Sequence, residues 1–174
     1  MVAYLITGNP GSGKSTLAAE LSRRGLVAMD ADGLAFWEDD AGMPVAQPPE
    51  PDDDWLLAHR WVWSRPRIEQ SIAASRDGGR AVFLRGIARD QAETLDLFEQ
   101  VFLLVIDEET QLARLAASAR AGSPVRTEAL RQQIRDGRRV FQAQMLARGA
   151  IPLDGTESPK VLADSLLAHL DPGN

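Results

Sequence analysis

Eight residues near the N-terminus constrain this chain more than any other stretch. Residues 8–15 read GNPGSGKS and fit the pattern G-x-x-x-x-G-K-[ST] at every fixed position. A short apolar run, Tyr4-Leu5-Ile6, precedes them and predicts a buried strand. The residues that follow predict a helix, because Leu17 and Leu21 stand four apart on one face. The stretch therefore joins a strand to a helix N-terminus, the context in which this pattern cradles phosphate.

The residues of this loop have separable predicted roles. Its glycines let backbone N–H groups turn inward towards a phosphate, and the helix N-terminus adds partial positive charge. We expect Lys14 to reach the β- and γ-phosphates of ATP and to act in catalysis, and Ser15 to ligate Mg²⁺. The predicted ATP contacts from the loop are Gly8, Asn9, Pro10, Gly11, Ser12, Gly13, Lys14, Ser15 and Thr16.

Composition excludes several classes of protein. The 174 residues predict one domain, and the absence of cysteine excludes disulfides, zinc thiolates and thiol catalysis. A formal net charge of −6 argues against binding to a nucleic-acid polymer, which needs a basic face. No apolar run approaches the length of a membrane span. We therefore expect a cytoplasmic monomer that binds small molecules and contacts no membrane.

Apolar runs and helical patterns alternate along the chain. The predicted strands are 2–7, 26–29, 81–84, 101–106 and 150–153. The predicted helices are 14–24, 55–77 with a break or kink at Pro66, 92–99, one from Thr110, 127–148 and one from Ser158. This alternation predicts an α/β fold with a five-stranded parallel sheet and helices on both of its faces.

We expect residues 33–78 to form an insertion on the acceptor side of the single domain. Prolines at 44, 48, 49 and 51 exclude a continuous helix there, so 33–54 is either a solvated loop ending in Asp54 as a helix N-cap or a mobile segment over a substrate. Its tryptophans at 55, 61 and 63 are more typical of core or lid packing than of stacking on a base. His59 and His169 have no partner motif and are interpreted as structural or surface residues.

The loop and the alternation of strands and helices together resemble the small P-loop kinases, namely nucleoside monophosphate kinases of the adenylate kinase type and the shikimate and gluconate kinases. Gly86-Ile87-Ala88-Arg89 followed by Gln91 is similar to the adenylate kinase segment G-F-P-R…Q-A. The resemblance implies that Arg89 holds an acceptor phosphate, that Gln91 reads the acceptor base, and that Gly86 belongs to the same substrate site. The Phe and Pro of that segment are not matched here.

The segment Asp30-Ala31-Asp32 resembles the D-x-D of shikimate kinases, where one Asp helps to hold Mg²⁺ and the other faces the substrate hydroxyl. We therefore place Asp30 and Asp32 in the substrate site, and Asp32 also at the metal. Asp32 would act as a base on a hydroxyl acceptor, hold a metal-bound water for a phosphate acceptor, or simply cap a helix. Adenylate kinases carry an Asp where this chain has Arg85, so the metal would rely on Ser15 with Asp30 or Asp32.

The C-terminal third supplies a predicted lid and a predicted adenine contact. The ending Asp154-Gly155-Thr156 resembles the D-G-T turn that lies near the adenine of ATP in adenylate kinases, which implies roles for Gly155 and Thr156. A lid is expected at 119–127. Seven arginines lie in or near it: Arg114, Arg120, Arg126, Arg131, Arg135, Arg138 and Arg139. Any single one of them is more typical of a solvated helix face, but transfer needs positive charge at the γ-phosphate, so at least one is expected to reach it. The catalytic candidates are Arg120, by its position in the lid and also on ATP, and Arg131, by the resemblance of the tail to adenylate kinases.

These patterns predict an ATP-dependent kinase of a small molecule. Arg89 and Gln91 slightly favour a nucleotide or nucleoside acceptor. The D-x-D segment favours the alternative, a hydroxyl-directed kinase of a sugar acid, metabolite or antibiotic. A third hypothesis is an NTPase or nucleotide switch that has no small acceptor.

Overall fold

A five-stranded parallel sheet forms the centre of the computed structural model, which describes residues 2–75, 81–118 and 128–170. In spatial order its strands are β2, Val27–Asp30; β6, Val82–Arg85; β1, Ala3–Thr7; β7, Gln100–Val105; and β8, Ile151–Asp154. Every neighbouring pair is parallel. The predicted α/β fold is therefore confirmed, with each strand within one residue of its expected position.

Helices cover both faces of this sheet. On one face, α1 (Lys14–Arg23) and α6 (Pro159–Ala168) bury leucines such as Leu17 and Leu166 against Phe83 and Phe102. On the other face, α3 (Arg65–Ala74) and α5 (Glu128–Ala147) contribute Ile68 and Met145 to a second apolar cluster. These two clusters give the three layers that strand–helix alternation predicted. The remaining long helix, α4 (Glu108–Ser118), follows β7.

Residues 33–63 depart from the prediction by building a second sheet. Strands β3 (Ala35–Glu38), β4 (Pro44–Val45) and β5 (Arg60–Trp63) pair antiparallel in the order β4-β3-β5. The prediction of an irregular segment at 33–54 was wrong for β3 and β4, because β3 pairs with residues up to 28 positions away and such pairing leaves no local signal. We call these three strands the small sheet.

The prediction of a single helix at 55–77 was also wrong. The chain forms a short helix α2 (Asp53–Ala58), then β5, and then α3, which has Pro66 in its first turn. A proline is favoured there because its missing N–H has no partner in a first turn. The N-cap of α2 is Asp52, whose carboxylate accepts from the Trp55 N–H at 2.8 Å, and Asp54 lies inside the helix.

The helix predicted at 92–99 was wrong as well. This stretch contains two 3₁₀ turns, Gln91–Glu93 and Leu95–Leu97. The Thr94 hydroxyl donates to the carbonyl of Gln91 at 2.9 Å, which favours a tight turn over a continuing helix. Helix α5, in contrast, runs unbroken through Gly137. Within the described ranges, no helix is long and apolar enough to cross a membrane.

Candidate active site

The loop between β1 and α1 is tightly folded against the end of β7. A Cβ on Gly8 would lie 2.7 Å from Ser12 Oγ and 2.8 Å from the Leu104 carbonyl oxygen, so only glycine fits there. Gly13 has φ +100° directly before the helix, a conformation that L side chains rarely adopt. Ser12 Oγ is buried and has no hydrogen-bond partner in the protein. The loop is therefore a closed cradle with an unpaired polar group inside, which fits a bound phosphate.

Lys14 occupies the centre of this cradle. Its ammonium donates to the carbonyl oxygens of Gly8 at 2.6 Å and Asn9 at 3.2 Å. Burial lowers the pKa of Lys14 from 10.5 to about 8, a shift that Asp32 and Asp30 oppose and Arg85 reinforces. The charged form of this lysine is therefore poorly compensated by the protein, and an anion in the loop would stabilise it.

A cavity of about 480 Å³ opens on the α1 side of the loop. It is lined by Gly11, Gly13, Lys14, Ser15, Thr16, Leu17, Arg114, Gly155, Glu157, Pro159 and Leu162. The Arg114 guanidinium bridges its two sides, because it donates to the carbonyl oxygens of Gly155 at 2.8 Å and Gly11 at 3.2 Å. We call this space the nucleotide cavity.

The turn after β8 contributes one of its two predicted residues to this cavity. Gly155 packs so closely that a Cβ there would lie 2.9 Å from the Ser12 carbonyl oxygen. Thr156, however, donates its hydroxyl to Asp154 at 2.6 Å and lines a separate cavity with residues of β7 and β8. The structure therefore brings Gly155 to the phosphate loop and leaves Thr156 outside the nucleotide cavity.

Two aspartates and an arginine meet where β2 and β6 end. Asp30 forms an ion pair with Arg85, and its Oδ1 accepts from the Asp32 N–H at 2.9 Å. Burial, with Asp30 nearby, raises the pKa of Asp32, whereas Lys14 and a hydrogen bond from the Ile87 N–H act to lower it. Asp32 Oδ1 is buried and has no hydrogen-bond partner in the protein. Asp30 is thus engaged within the protein, and Asp32 has one buried carboxylate oxygen without a hydrogen-bond partner.

Gly86 makes this position of Asp32 possible. A Cβ on Gly86 would lie 2.9 Å from Asp32 Oδ1 and 3.0 Å from the Trp63 ring. Any larger residue would push the carboxylate or the indole away. The absence of a side chain at Gly86 therefore lets Asp32 and Trp63 pack closely around it. The predicted contact of Gly86 with the substrate stays a prediction.

A second cavity, of about 550 Å³, lies on the opposite side of the phosphate loop. Its lining is Asn9, Pro10, Trp37, Leu56, His59, Trp61, Ile87, Ala88, Arg89, Gln91, Ala92, Gly137, Val140, Phe141, Gln144 and Met145. Residues of the small sheet, of α2 and of α5 thus enclose it, and Asn9 and Pro10 of the loop form its junction with the phosphate site. We call this space the acceptor cavity.

Arg89 and Gln91 both line the acceptor cavity, but Arg89 is exposed and Gln91 is buried. Arg89 is exposed and forms no ion pair with any described residue, and its backbone N–H donates to the Trp61 carbonyl at 2.9 Å. Two of its three acidic neighbours are engaged elsewhere, since Asp96 pairs with Arg65 and Asp90 accepts from the Trp63 N–H, and the third, Glu93, forms no ion pair with it. The Arg89 guanidinium is therefore free to bind an anion.

Gln91 is only 2% exposed and is held by three contacts within the protein. Its Oε1 accepts from Thr7 Oγ1 at 3.2 Å and from the Ala88 N–H at 3.3 Å, and its Nε2 donates to Met145 Sδ at 3.0 Å. This network ties the loop after β6 to β1 and α5. The reading of a base by Gln91 stays a prediction, and its amide would have to exchange these contacts to make it.

The predicted lid at 119–127, with Arg120, lies outside the described residues, as does the side chain of Arg131. Their catalytic roles stay predictions. Arg114, one of the seven arginines in this region, lines the nucleotide cavity. Its position about one helical turn before the predicted lid could have indicated this role. Sequence reasoning missed the cavity-lining roles of Glu157, Trp37 and Phe141; of these, only Glu157 had a signal, its place next to the D-G-T turn.

The residues present fit a magnesium ion held mainly by phosphate oxygens. Among the described residues, no three His, Asp or Glu side chains cluster as a metal site. Mg²⁺ in phosphate-transfer sites is usually bound by only one or two protein oxygens. Ser15 at the first turn of α1, and Asp32, whose charge acts on Lys14, are the described residues that would supply these oxygens.

Comparison with known proteins shows that this chain shares its fold with kinases. No family model matches it. A segment of 72 residues is 33% identical to a cytidylate kinase from Pyrobaculum arsenaticum, and it spans 41% of this chain and 35% of that kinase. The match therefore covers about a third of the curated relative.

Solved structures match over nearly the whole chain. A shikimate kinase from Acinetobacter baumannii in complex with shikimate superposes with a TM-score of 0.62 at 18% identity, covering 98% of this chain and 93% of that one. A deoxyadenosine kinase from M. mycoides with bound dATP gives 0.58 at 13% identity, covering 98% and 100%. The chain therefore has the fold of the small P-loop kinases, as its resemblance implied.

Proposed function

We propose that this protein is an ATP-dependent kinase that transfers the γ-phosphate of ATP to a small acceptor, with a nucleotide or nucleoside slightly favoured. One observation carries the proposal. The phosphate loop lines two cavities, and its buried lysine lines the first and donates to the carbonyl oxygen of Asn9, which lines the second. A donor on one side and an acceptor on the other would meet at that lysine, which is the arrangement that in-line phosphoryl transfer needs.

The nucleotide side supports the donor role. Backbone groups of the loop would bind the β- and γ-phosphates, and Lys14 would exchange its carbonyl contacts for phosphate oxygens. The Arg114 guanidinium, fixed between Gly11 and Gly155, would lie against the nucleoside part of ATP. The cytidylate kinase match and the dATP-bound neighbour agree with a nucleotide in this cavity.

Ser15 and Asp32 are the residues we assign to Mg²⁺, which would neutralise charge on the transferring phosphate. Arg85 takes the place where adenylate kinases carry an Asp, and it also neutralises Asp30. We infer that Asp30 holds Arg85 and the Asp32 backbone in position and leaves metal binding to Asp32.

The acceptor side supports two candidate chemistries. Arg89 would pair with an anionic group on the acceptor, which favours a nucleoside monophosphate. The unpaired Oδ1 of Asp32, beside Lys14, supports the second candidate, in which Asp32 takes the proton of an acceptor hydroxyl. The likeness in fold to the shikimate kinase agrees with this alternative.

The deciding experiment is ATP turnover with a panel of acceptors under Mg²⁺. The panel contains nucleosides, nucleoside monophosphates, shikimate and gluconate, and the products are identified by mass spectrometry. Phosphorylation of a nucleoside monophosphate supports the first chemistry, and phosphorylation of a hydroxyl supports the second. Hydrolysis of ATP that no acceptor accelerates would reject both and leave an NTPase or a nucleotide switch.

A further inference from the structure

We infer that Trp37 and Trp61 form a stacking platform for a flat heteroaromatic ring of the acceptor, and that Arg89 binds an anionic substituent of the same molecule. The inference rests on the proposed function, since it names the class of molecule that the acceptor cavity receives. It also departs from the expectation that Trp61 is more typical of packing than of stacking on a base.

The small sheet places the two indoles side by side. Trp37 on β3 and Trp61 on β5 are register partners, so their side chains project from the same face of the small sheet. Their ring centroids lie 5.1 Å apart with the ring planes tilted by 55°, and both residues line the acceptor cavity while remaining partly exposed. The two indoles therefore present two adjoining aromatic surfaces to a ligand, and a flat ring would stack on one of them beside the other.

Further contacts fix this surface before any ligand binds. The Trp37 Nε1–H donates to Gln47 Oε1 at 3.0 Å, and Trp55 packs edge-on against Trp37 with centroids 5.0 Å apart. Trp55 in turn stacks on His59 at 4.2 Å. An indole held in this way loses little conformational entropy when a ring stacks on it.

The cavity offers few free hydrogen-bonding side chains, which disfavours a polyhydroxylated acceptor. Of its described polar residues, Gln91 is buried in its own network, and His59 Nδ1 is hydrogen-bonded to the Trp55 carbonyl. Asn9, where the cavity meets the phosphate loop, has a buried Oδ1 without a hydrogen-bond partner. Arg89 and Gln144 remain at the exposed margin. A molecule with many hydroxyls would leave most of them unpaired there, whereas a flat ring with one anionic group would not.

Arg89 is held at a fixed position relative to this platform. Its backbone N–H donates to the carbonyl of Trp61, so the guanidinium starts from a point next to one of the indoles. Phe141 and Met145 of α5 line the same cavity and supply further apolar surface. The ring and its anionic group would thus bind to adjacent residues of two different elements, β5 and the loop after β6.

Equilibrium binding without ATP tests the inference, so its outcome does not depend on transfer. Cytidine, adenosine, uridine and guanosine monophosphates are titrated into the protein by calorimetry, with gluconate and shikimate as non-aromatic anions. Tryptophan fluorescence gives an independent signal, because all four tryptophans of the chain lie in residues 37–63. We expect saturable binding and quenching by at least one nucleoside monophosphate and by neither non-aromatic anion.

Variants then assign the binding to the platform. Trp61→Leu and Trp37→Leu should each raise the Kd of that monophosphate at least about tenfold, Trp61→Phe should restore part of the affinity, and the Kd of ATP should stay unchanged. Phe36→Leu is the matched control, because Phe36 lies next to Trp37 on β3, pairs with Val62 and does not line the cavity. Thermal melts show that each variant folds.

Three results would overturn the inference: no binding by any monophosphate, preferential binding of gluconate or shikimate, or wild-type affinity in both leucine variants. The proposed function fails by a different result, the absence of phosphoryl transfer to every acceptor in the turnover assay. Binding of a monophosphate without phosphoryl transfer would therefore support the stacking platform and contradict the proposed kinase activity.

Discussion

At the scale of single residues, the site depends on charges that the protein leaves partly uncompensated. Lys14 is buried among carbonyl oxygens, and its pKa falls to about 8. Asp32 is held with one oxygen unpaired, and burial raises its pKa. Both features cost stability in the free protein, and both are favourable when phosphate and a cation bind.

Lys14→Ala should leave the fold intact and abolish transfer. The lysine neutralises charge that grows between the β- and γ-phosphates, a contribution worth several kcal/mol in such sites, so turnover should fall by at least about 10²-fold. Steady-state kinetics at saturating ATP measures it, with circular dichroism as the check on folding. Turnover within about tenfold of the wild type would contradict the assignment.

The buried lysine also predicts a pH dependence of folding stability. Its folded pKa of about 8 lies below the ordinary 10.5, so between these values the unfolded chain binds more protons and stability rises with pH. Relative to Lys14→Met, the free energy of unfolding of the wild type should rise by on the order of 3 kcal/mol from pH 7 to above 10.5. Urea titrations of the nucleotide-free proteins measure this difference, and parallel curves would show that Lys14 is not desolvated.

Substitution of Asp32 should change the Mg²⁺ dependence of activity more than substitution of Asp30. Asp32→Asn should raise the Mg²⁺ concentration for half-maximal activity, because Asp32 has the unpaired oxygen. Asp30→Asn should alter it less, because Asp30 already pairs with Arg85. Activity measured against Mg²⁺ at fixed ATP compares the two. If both variants titrate like the wild type, the metal is held elsewhere and the analogy to shikimate kinase aspartates is lost.

At the scale of elements, the acceptor side is built by contacts between the small sheet and the loop after β6. Two hydrogen bonds join them, from the Arg89 N–H to the Trp61 carbonyl and from the Trp63 N–H to Asp90 Oδ1. Gly86 allows Trp63 and Asp32 to pack on the same loop. The position of Arg89 is therefore set by β5 as well as by the end of β6.

Arg89→Lys should raise the acceptor KM strongly and leave the ATP KM nearly unchanged, if the acceptor is anionic. The planar guanidinium binds phosphate or carboxylate through two hydrogen bonds, which an ammonium does not reproduce, and the loss should be on the order of 2 kcal/mol. The backbone bond to Trp61 does not depend on the side chain, so the fold should persist. An unchanged acceptor KM in Arg89→Lys and Arg89→Ala would instead favour a neutral hydroxyl acceptor facing Asp32.

At the scale of the whole molecule, each predicted ligand would bind between helices and turns that are distant in the sequence and that the sheet brings together. The nucleotide cavity joins α1, α4 and the turn after β8, and the acceptor cavity joins α2, the small sheet and α5. A ligand that bridges such elements binds the folded state alone, so it stabilises the fold by mass action.

ATP with Mg²⁺ should therefore raise the melting temperature of the protein. At 100 times its Kd the gain is about 2.7 kcal/mol, which for a chain of this length corresponds to about 5–10 °C. Differential scanning calorimetry measures the shift, and Lys14→Ala serves as the control that should show a much smaller one. An equal shift in the variant would indicate that ATP binds away from the phosphate loop.

The sequence alone determined the phosphate loop, the alternation of strands and helices, and the parallel sheet, because each depends on local spacing of apolar residues and glycines. It also identified Asp32 and Arg89, which follow strands of that sheet. Tertiary structure decided what these residues can do. Asp30 is neutralised because β2 pairs with β6 and brings Arg85 opposite it, and Gln91 is buried because α5 packs over it. The aromatic wall of the acceptor cavity exists only through the pairing of Trp37 with Trp61, residues 24 positions apart, and no local pattern encodes such long-range register.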